Sequence, residues 1–211
     1  MLDTPQATLS SLQPLASPKS RYRISDAVFE SLSESIRNLR LPPGSPISEP
    51  AIAASLQVSR SPVREAITRL VDLGLVSVVP QVGSRIAPIS LREVDEAVFI
   101  RRALETSAFT YAIRDVRPDV SEIQGHVNAN AAAAAEGDAE RFFETDELIH
   151  QAVFILAGVP RLWDVVRGTK MQLDRLRRLH LDAALSSEDL LAEHQALVDA
   201  LADRDLPRAP P

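Results

Sequence analysis

Apolar side chains recur at helical spacing from Ile24, with Ala27, Val28, Leu32, Ile36 and Leu39 on one stripe, and the pattern stops at Leu41-Pro42-Pro43-Gly44. Ser48-Glu49-Pro50 then opens a short helix carrying Ile52, Ala53 and Leu56, and Val58 to Ser61 forms the turn that follows. Ser59-Arg60-Ser61-Pro62 places a capping residue and a proline at the next helix start; Val63, Ala66, Ile67, Leu70 and Val71 supply its buried stripe, and Gly74 ends it. Beyond Gly74 the period changes. Leu75 to Pro80, Gln81-Val82-Gly83 and Ser84 to Pro88 read as strand, tight turn and strand. Three helices followed by a small hairpin is the element order of a winged helix-turn-helix.

Ser90-Leu91-Arg92-Glu93 is a capping box. It opens a long helix through Val94, Val98, Ile100, Leu104, Ala108 and Ala112, where a second domain begins. Further helices are predicted over Pro118 to Glu136, Asp138 to Ala157, Pro160 to His180 and Ser187 to Ala202, with Gly137, Gly158 and the Asp182 to Ser186 segment as joints. The fold class expected is therefore mainly α: a winged helix-turn-helix with a β-hairpin wing over 23–88, then an all-α antiparallel helical bundle over 89–211. Residues 1–22, rich in Pro, Ser, Thr and Gln, are expected to form a disordered tail.

Proline and charge divide the chain at the same place. Ten of the fifteen prolines precede residue 90, and between Pro118 and Pro207 only Pro160 interrupts. Residues 1–90 carry nine Lys and Arg against seven Asp and Glu, whereas residues 91–211 carry fourteen against twenty-two, so the net charge of −6 conceals a weakly basic front and an acidic remainder. The absence of cysteine excludes disulfides and zinc-thiolate sites. Met1-Leu2-Asp3 lacks the basic start of a signal peptide and no apolar run is long enough for a span, so a cytoplasmic protein with no membrane partner is expected.

A helix beginning near Ser59 presents Arg60, Ser61 and Arg64 on the end that enters the major groove in helix-turn-helix docking, where Arg bonds two guanine acceptors at once or holds a phosphate. The alternative is a pair of solvated charges. Leu41-Pro42-Pro43-Gly44, Ile47-Ser48-Glu49, Val58 to Ala66, Leu70, Gly74-Leu75-Val76 and Gly83 stand in the order and spacing of one head domain. The chain resembles the GntR family of bacterial transcription regulators. Downstream, Arg101 to Glu105, Gly137-Asp138, Asp146 to His150 and Glu193-His194 resemble the FadR-type subgroup with its helical FCD effector domain. The likeness spans about residues 25–209. It implies DNA contacts by Ser59, Arg60, Ser61 and Arg64, a minor-groove approach by the wing tip from Gln81 to Arg85 with Gly83 and Arg85, and a homodimer on a double-stranded operator. Pro50 and Val82 stand where the family often carries a basic residue, which implies a shallower salt dependence.

Asp146 and His150 lie four apart and share a helix face, and His194 comes from a helix that can pack beside it. By spacing alone such a pair is more often a surface hydrogen bond. The resemblance makes the three a ligand set for a divalent transition metal, Zn, Ni or Mn, and makes Arg101 a ligand for the carboxylate of a small organic-acid effector. An Arg101–Glu105 pair within the helix is the alternative. His126 and His180 are read as surface histidines, Trp163 as core, and Arg175, Arg177 and Arg178 as a solvated face. The subgroup's final helix with its further histidine has no counterpart in Asp203 to Pro211, which implies a shortened domain. The function expected is a DNA-binding regulator, a repressor in most such families. A metal-dependent hydrolase using Asp146, His150 and His194, or a defective shortened regulator, is the alternative.

Overall fold

A computed structural model describes residues 12, 14, 21–79, 83–114 and 118–204. The chain divides into two compact units, Met1–Ser90 and Leu91–Pro211. In the first, α1 (Arg21–Arg37), β1 (Pro46–Ile47), α2 (Glu49–Leu56), α3 (Arg60–Asp72), β2 (Val76–Val79) and β3 (Gly83–Ile86) follow one another. Val28, Leu32 and Ile36 of α1 are buried, as are Ile52 and Leu56 of α2 and Val63, Ala66, Ile67 and Leu70 of α3. The polar edge of that packing is tied by Arg69, which pairs with Asp26 at 2.8 Å and lies over the Phe29 ring.

The turn between α2 and α3 depends on one left-handed residue. Gln57 has φ 56° and ψ 41°, and its N–H donates to Ala53 and Ala54 carbonyls. Ser59 takes the N-cap position of α3 with extended backbone, yet its side chain makes no cap hydrogen bond. Pro62 falls in the first turn, where a missing N–H costs nothing.

The hairpin is antiparallel, with Val76 opposite Ile86 and Val79 opposite Gly83. The loop before α2 contributes a strand that the sequence pattern did not reveal: β1 pairs with β3, Pro46 opposite Arg85 and Ile47 opposite Ser84, giving the order β1-β3-β2. Two residues are too few to show a period. Pro46 stands on the edge strand, the place where a residue without N–H is tolerated. The unit is thus a winged helix-turn-helix; Pro80, Gln81 and Val82 of the expected wing tip lie outside the described residues.

The second unit is wholly helical among the described residues: α4 (Leu91–Ile113), α5 (Ser121–Glu136), α6 (Ala139–Leu156), α7 (Arg161–Thr169), α8 (Met171–Leu179), α9 (Leu181–Leu185) and α10 (Glu188–Asp203). Phe109, Ile149, Phe154, Trp163, Val166, Val198 and Leu201 meet in its core, so Trp163 is a core residue, as the sequence suggests. Gly137 ends α5 at φ 68°, and Asp138 caps α6 by accepting from the Arg141 N–H. Buried Asn130 of α5 donates to the Phe142 carbonyl at 2.8 Å and to Thr145 Oγ1 at 3.0 Å.

Two expectations are corrected here. The helix expected from Pro160 to His180 breaks into α7 and α8 at Lys170, which is turned inward at 1% exposure to pair with Asp174 at 2.7 Å and with Glu147. The break shifts the helical phase, and Arg175, Arg177 and Arg178 are not a solvated face. Arg175 is fully buried beside Gln172, Arg177 pairs with Asp146 and Glu147, and Arg178 pairs with Glu140 while stacking on Phe143. Burial leaves Arg175 less basic than usual, partly offset by Glu93. The joint expected at Asp182 to Ser186 is instead mostly the short helix α9.

These backbone positions predict opposite effects. A Cβ at Gly137 meets nothing within 4 Å, so Gly137→Ala costs only the left-handed backbone strain, roughly 1 kcal/mol. Gln57→Gly relieves the same strain and stabilises the first unit by a comparable or smaller amount. Calorimetric unfolding of both variants reads the two signs directly, and equal signs contradict the assignment.

Candidate functional site

The outward end of α3 carries Ser59, Arg60, Ser61 and Arg64, all exposed, while Pro62, Val63, Ala66 and Ile67 face the core. Arg64 lies within reach of Glu49 at the start of α2. Its Nε donates to Glu49 Oε1 at 3.2 Å and Oε2 at 3.1 Å, and its Nη2 donates to Oε2 at 3.0 Å. The hydrogen bond and charge of Glu49 raise the pKa of Arg64, which stays a permanent cation. In the wing, Gly83 opens β3 at φ 111°, and Arg85 donates from Nη1 to the Gly44 carbonyl at 3.0 Å.

In the helical unit a cavity of about 950 Å³ opens between α4, α6, α8 and α10, with Phe109, Val153, Leu173 and Leu197 among its apolar walls. At its polar end Asp146, His150 and His194 each offer a ligand atom, all within 4.8 Å of one another. His194 Nε2 lies 3.4 Å from Asp146 Oδ1, and its Nδ1 is buried with no hydrogen-bond partner. The two imidazoles meet edge to face, centroids 5.8 Å apart. Arg101 also lines the cavity, and it makes the pair within its helix: Nε donates to Glu105 Oε1 at 2.6 Å. The pair within the helix is therefore formed, and it does not take Arg101 away from the cavity wall. His126 is half-buried near Glu122, and His180 is exposed at the cavity rim rather than remote from it.

Two supporting side chains were not legible as such in the sequence. Glu105 bridges Arg101 and His150, its Oε2 3.0 Å from His150 Nδ1, which fixes the ring and leaves the Nε2 lone pair as its ligand atom. Burial alone raises the Glu105 carboxyl, but His150 and Arg101 outweigh it and hold the pKa at about 2. Arg177 reaches Asp146 Oδ2 and Glu147 Oε1. Burial likewise opposes ionisation of Asp146, and Arg177 with the His194 hydrogen bond overcomes it, keeping the carboxyl well below its ordinary value. The pattern Arg-x-x-x-Glu four residues apart is the one signal that pointed to Glu105.

One ionised carboxylate and two imidazoles, one oriented by a second carboxylate and one with an orphaned buried nitrogen, fit a divalent transition metal. Three protein ligands would leave a bound ion with positions for other ligands.

A head that presents an arginine-bearing helix, followed by a helical unit, is the arrangement of a DNA-binding transcription regulator. The model of bacterial regulatory proteins of the gntR family matches residues 24–86, and that of the FCD domain matches residues 96–210. An HTH-type transcriptional regulator in an unstable DNA locus of Streptomyces ambofaciens is 34% identical over 86% of this chain and 77% of its own length. The HTH-type transcriptional repressor RspR of Escherichia coli K12 is 30% identical over 86% of this chain and 80% of its length. A solved structure of a transcriptional regulator from Rhodococcus sp. RHA1 superposes with a TM-score of 0.68 at 25% identity, covering 88% of this chain and 89% of that one. This chain belongs to the GntR family of transcription regulators and carries an FCD domain. It is a regulator and not an enzyme, which sets aside the hydrolase alternative.

The Glu105 clamp makes stability depend on pH. Its pKa falls from 4.5 to about 2 on folding, so its contribution is present above the unfolded value and lost as pH falls toward 2. Urea titrations read by Trp163, the sole tryptophan, are expected to show wild type ahead of Glu105→Gln near neutrality and the gap closing below about pH 4.5. A gap independent of pH contradicts the clamp.

Proposed function

We propose that the chain is a repressor that binds inverted-repeat operators as a homodimer in the cytoplasm and changes its operator affinity when the FCD unit takes up a small organic acid. The observation that carries the sensing reading is the 950 Å³ cavity ending on Asp146, His150 and His194. No helix among the described residues is long and apolar enough to cross a membrane.

Asp146, His150 and His194 would hold a Zn, Ni or Mn ion, which would supply an electrophile for an effector carboxylate. The chain's own groups do the rest. Glu105 orients His150, and Arg177 keeps Asp146 charged. Arg101 commits Nε to Glu105 and keeps its Nη donors for an acid group in the cavity. Phe109, Val153, Leu173 and Leu197 exclude water from the ligand. An effector regulates only if it binds the DNA-competent arrangement and its alternative unequally.

On the DNA side, Arg60 and Arg64 read bases or hold phosphates, Ser59 and Ser61 add hydroxyl contacts at the helix start, and Gly83 and Arg85 bring the wing to the minor groove. The acidic net charge of the second unit makes the head the natural DNA-binding surface.

Fluorescence anisotropy on a duplex enriched by the protein from a randomised pool, over a salt series, tests this half. Arg60→Ala with Arg64→Ala is expected to lower selective binding roughly hundredfold or more, and selective binding retained in the double variant rejects the assignment. For the sensing half, Zn, Ni or Mn at about a hundred times its Kd is expected to stabilise the protein by about 2.7 kcal/mol. His150→Ala removes that shift. Thermal denaturation that none of the three metals alters, with no metal retained after dialysis, rejects the metal set.

A further inference from the structure

Of all the exposed cations on α3, Arg64 alone is gripped from outside its own helix in a two-point geometry. Glu49, at the first position of α2, takes Nε and Nη2 together, so its carboxylate lies along one side of the guanidinium plane. The Arg64 side chain is nevertheless 71% exposed. An exposed pair of this kind adds little to stability, so its consequence is orientation. A guanidinium offers five N–H donors in a fixed fork. With the Nε side occupied, Nη1 and the outer hydrogen of Nη2 remain, and this end-on pair matches the O6 and N7 acceptors that guanine presents in the major groove. Arg60, also exposed, makes no such ion pair among the described contacts and keeps its rotamer freedom.

We infer that Glu49 is a positioning residue for base readout: by fixing the Arg64 fork before DNA arrives, it gives this regulator its preference for guanine at one position of each half-site. The inference rests on the DNA-binding reading above. Pre-orientation lowers the rotamer entropy lost on binding the matching base, and it denies Arg64 the swing to a neighbouring phosphate. Arg60 is then the adaptable contact. A carboxylate near the duplex repels phosphates, so Glu49 weakens sequence-independent binding at the same time.

This gives two observables that move in opposite directions. The probe is the duplex that wild-type protein enriches from a randomised pool, together with duplexes carrying each single base-pair change in the half-site and a scrambled duplex. Glu49→Gln keeps the shape and loses the charge. It is expected to bind the scrambled duplex a few-fold more tightly while preference for guanine at one position falls about tenfold. In an Arg64→Ala background the same change leaves base preference unaltered, and Arg60→Ala leaves the Glu49 effect intact. Glu49→Asp, too short to reach both nitrogens, reproduces the loss of preference without the gain in scrambled binding, which separates geometry from charge.

Equal tightening on every duplex means that Glu49 acts through charge alone and overturns the inference. Loss of preference that persists without Arg64 means that Glu49 acts by another route and overturns it as well. A wild-type protein that enriches no sequence defeats the DNA-binding reading itself, an outcome distinct from both.

Discussion

Asp146 is a carboxylate at 1% exposure, and the helical unit is arranged around keeping it ionised. A buried charge is tolerable only when opposite charge and hydrogen bonds replace water. Arg177 supplies the charge from α8, and it faces Asp146 because the helix breaks at Lys170 and α8 starts afresh. Lys170, drawn inward, pairs with Glu147 and Asp174; Asp174 itself is pushed up by burial, against the pull of Lys170. Arg177 is held more strongly protonated than usual, burial being outweighed by Asp146 and Glu147. Removing one member strands the charge of another, which is why such networks are costly to break even when their net contribution to stability is small.

From α2 to β3 the helices and hairpin were legible to within about two residues because their signals are local and redundant, whereas α1, read from Ile24 to Leu41, runs Arg21–Arg37 and leaves Leu39 beyond it at φ 61°. Pro42-Pro43-Gly44, Pro62 and Gly74 mark helix ends by backbone chemistry, and Val63, Ala66, Ile67 and Leu70 mark one face. The Asp146, His150 and His194 cluster was also anticipated from Asp-x-x-x-His and Glu-His, and the fold brings the three together. What escaped was long-range. Near Lys170 only Gly168 hints at a break; the partners Glu147 and Asp174 account for it, but only once the chain is folded. The arginines of α8 looked solvated because charged residues are rarely buried; Arg177 and Arg178 are drawn in by partners on α6, and Arg175 lies beside Gln172. β1 is too short to carry a period at all.

The two functional surfaces hold arginine by the same device on different scales of exposure. Glu49 fixes Arg64 in solvent, where the pair is screened and only orientation survives. Glu105 fixes both Arg101 and His150 beside an apolar cavity, where solvent is scarce and the same contact also shifts proton affinity. Each acid is four or fifteen residues from the arginine it restrains, so the first is a property of one helix and the second of a tertiary fold.

Asn130 has a consequence of another kind. Its amide sits between α5 and α6 and donates to the Phe142 carbonyl and to Thr145 Oγ1, and both contacts are buried. Sliding α6 by one turn would carry those acceptors about 5.4 Å along the axis, beyond any hydrogen bond, and would leave a dry amide with nothing to bind. Beside it the buried face of α5 carries Ile123, Val127 and Ala133. One polar side chain thus works as a detent, holding the two helices in a single alignment.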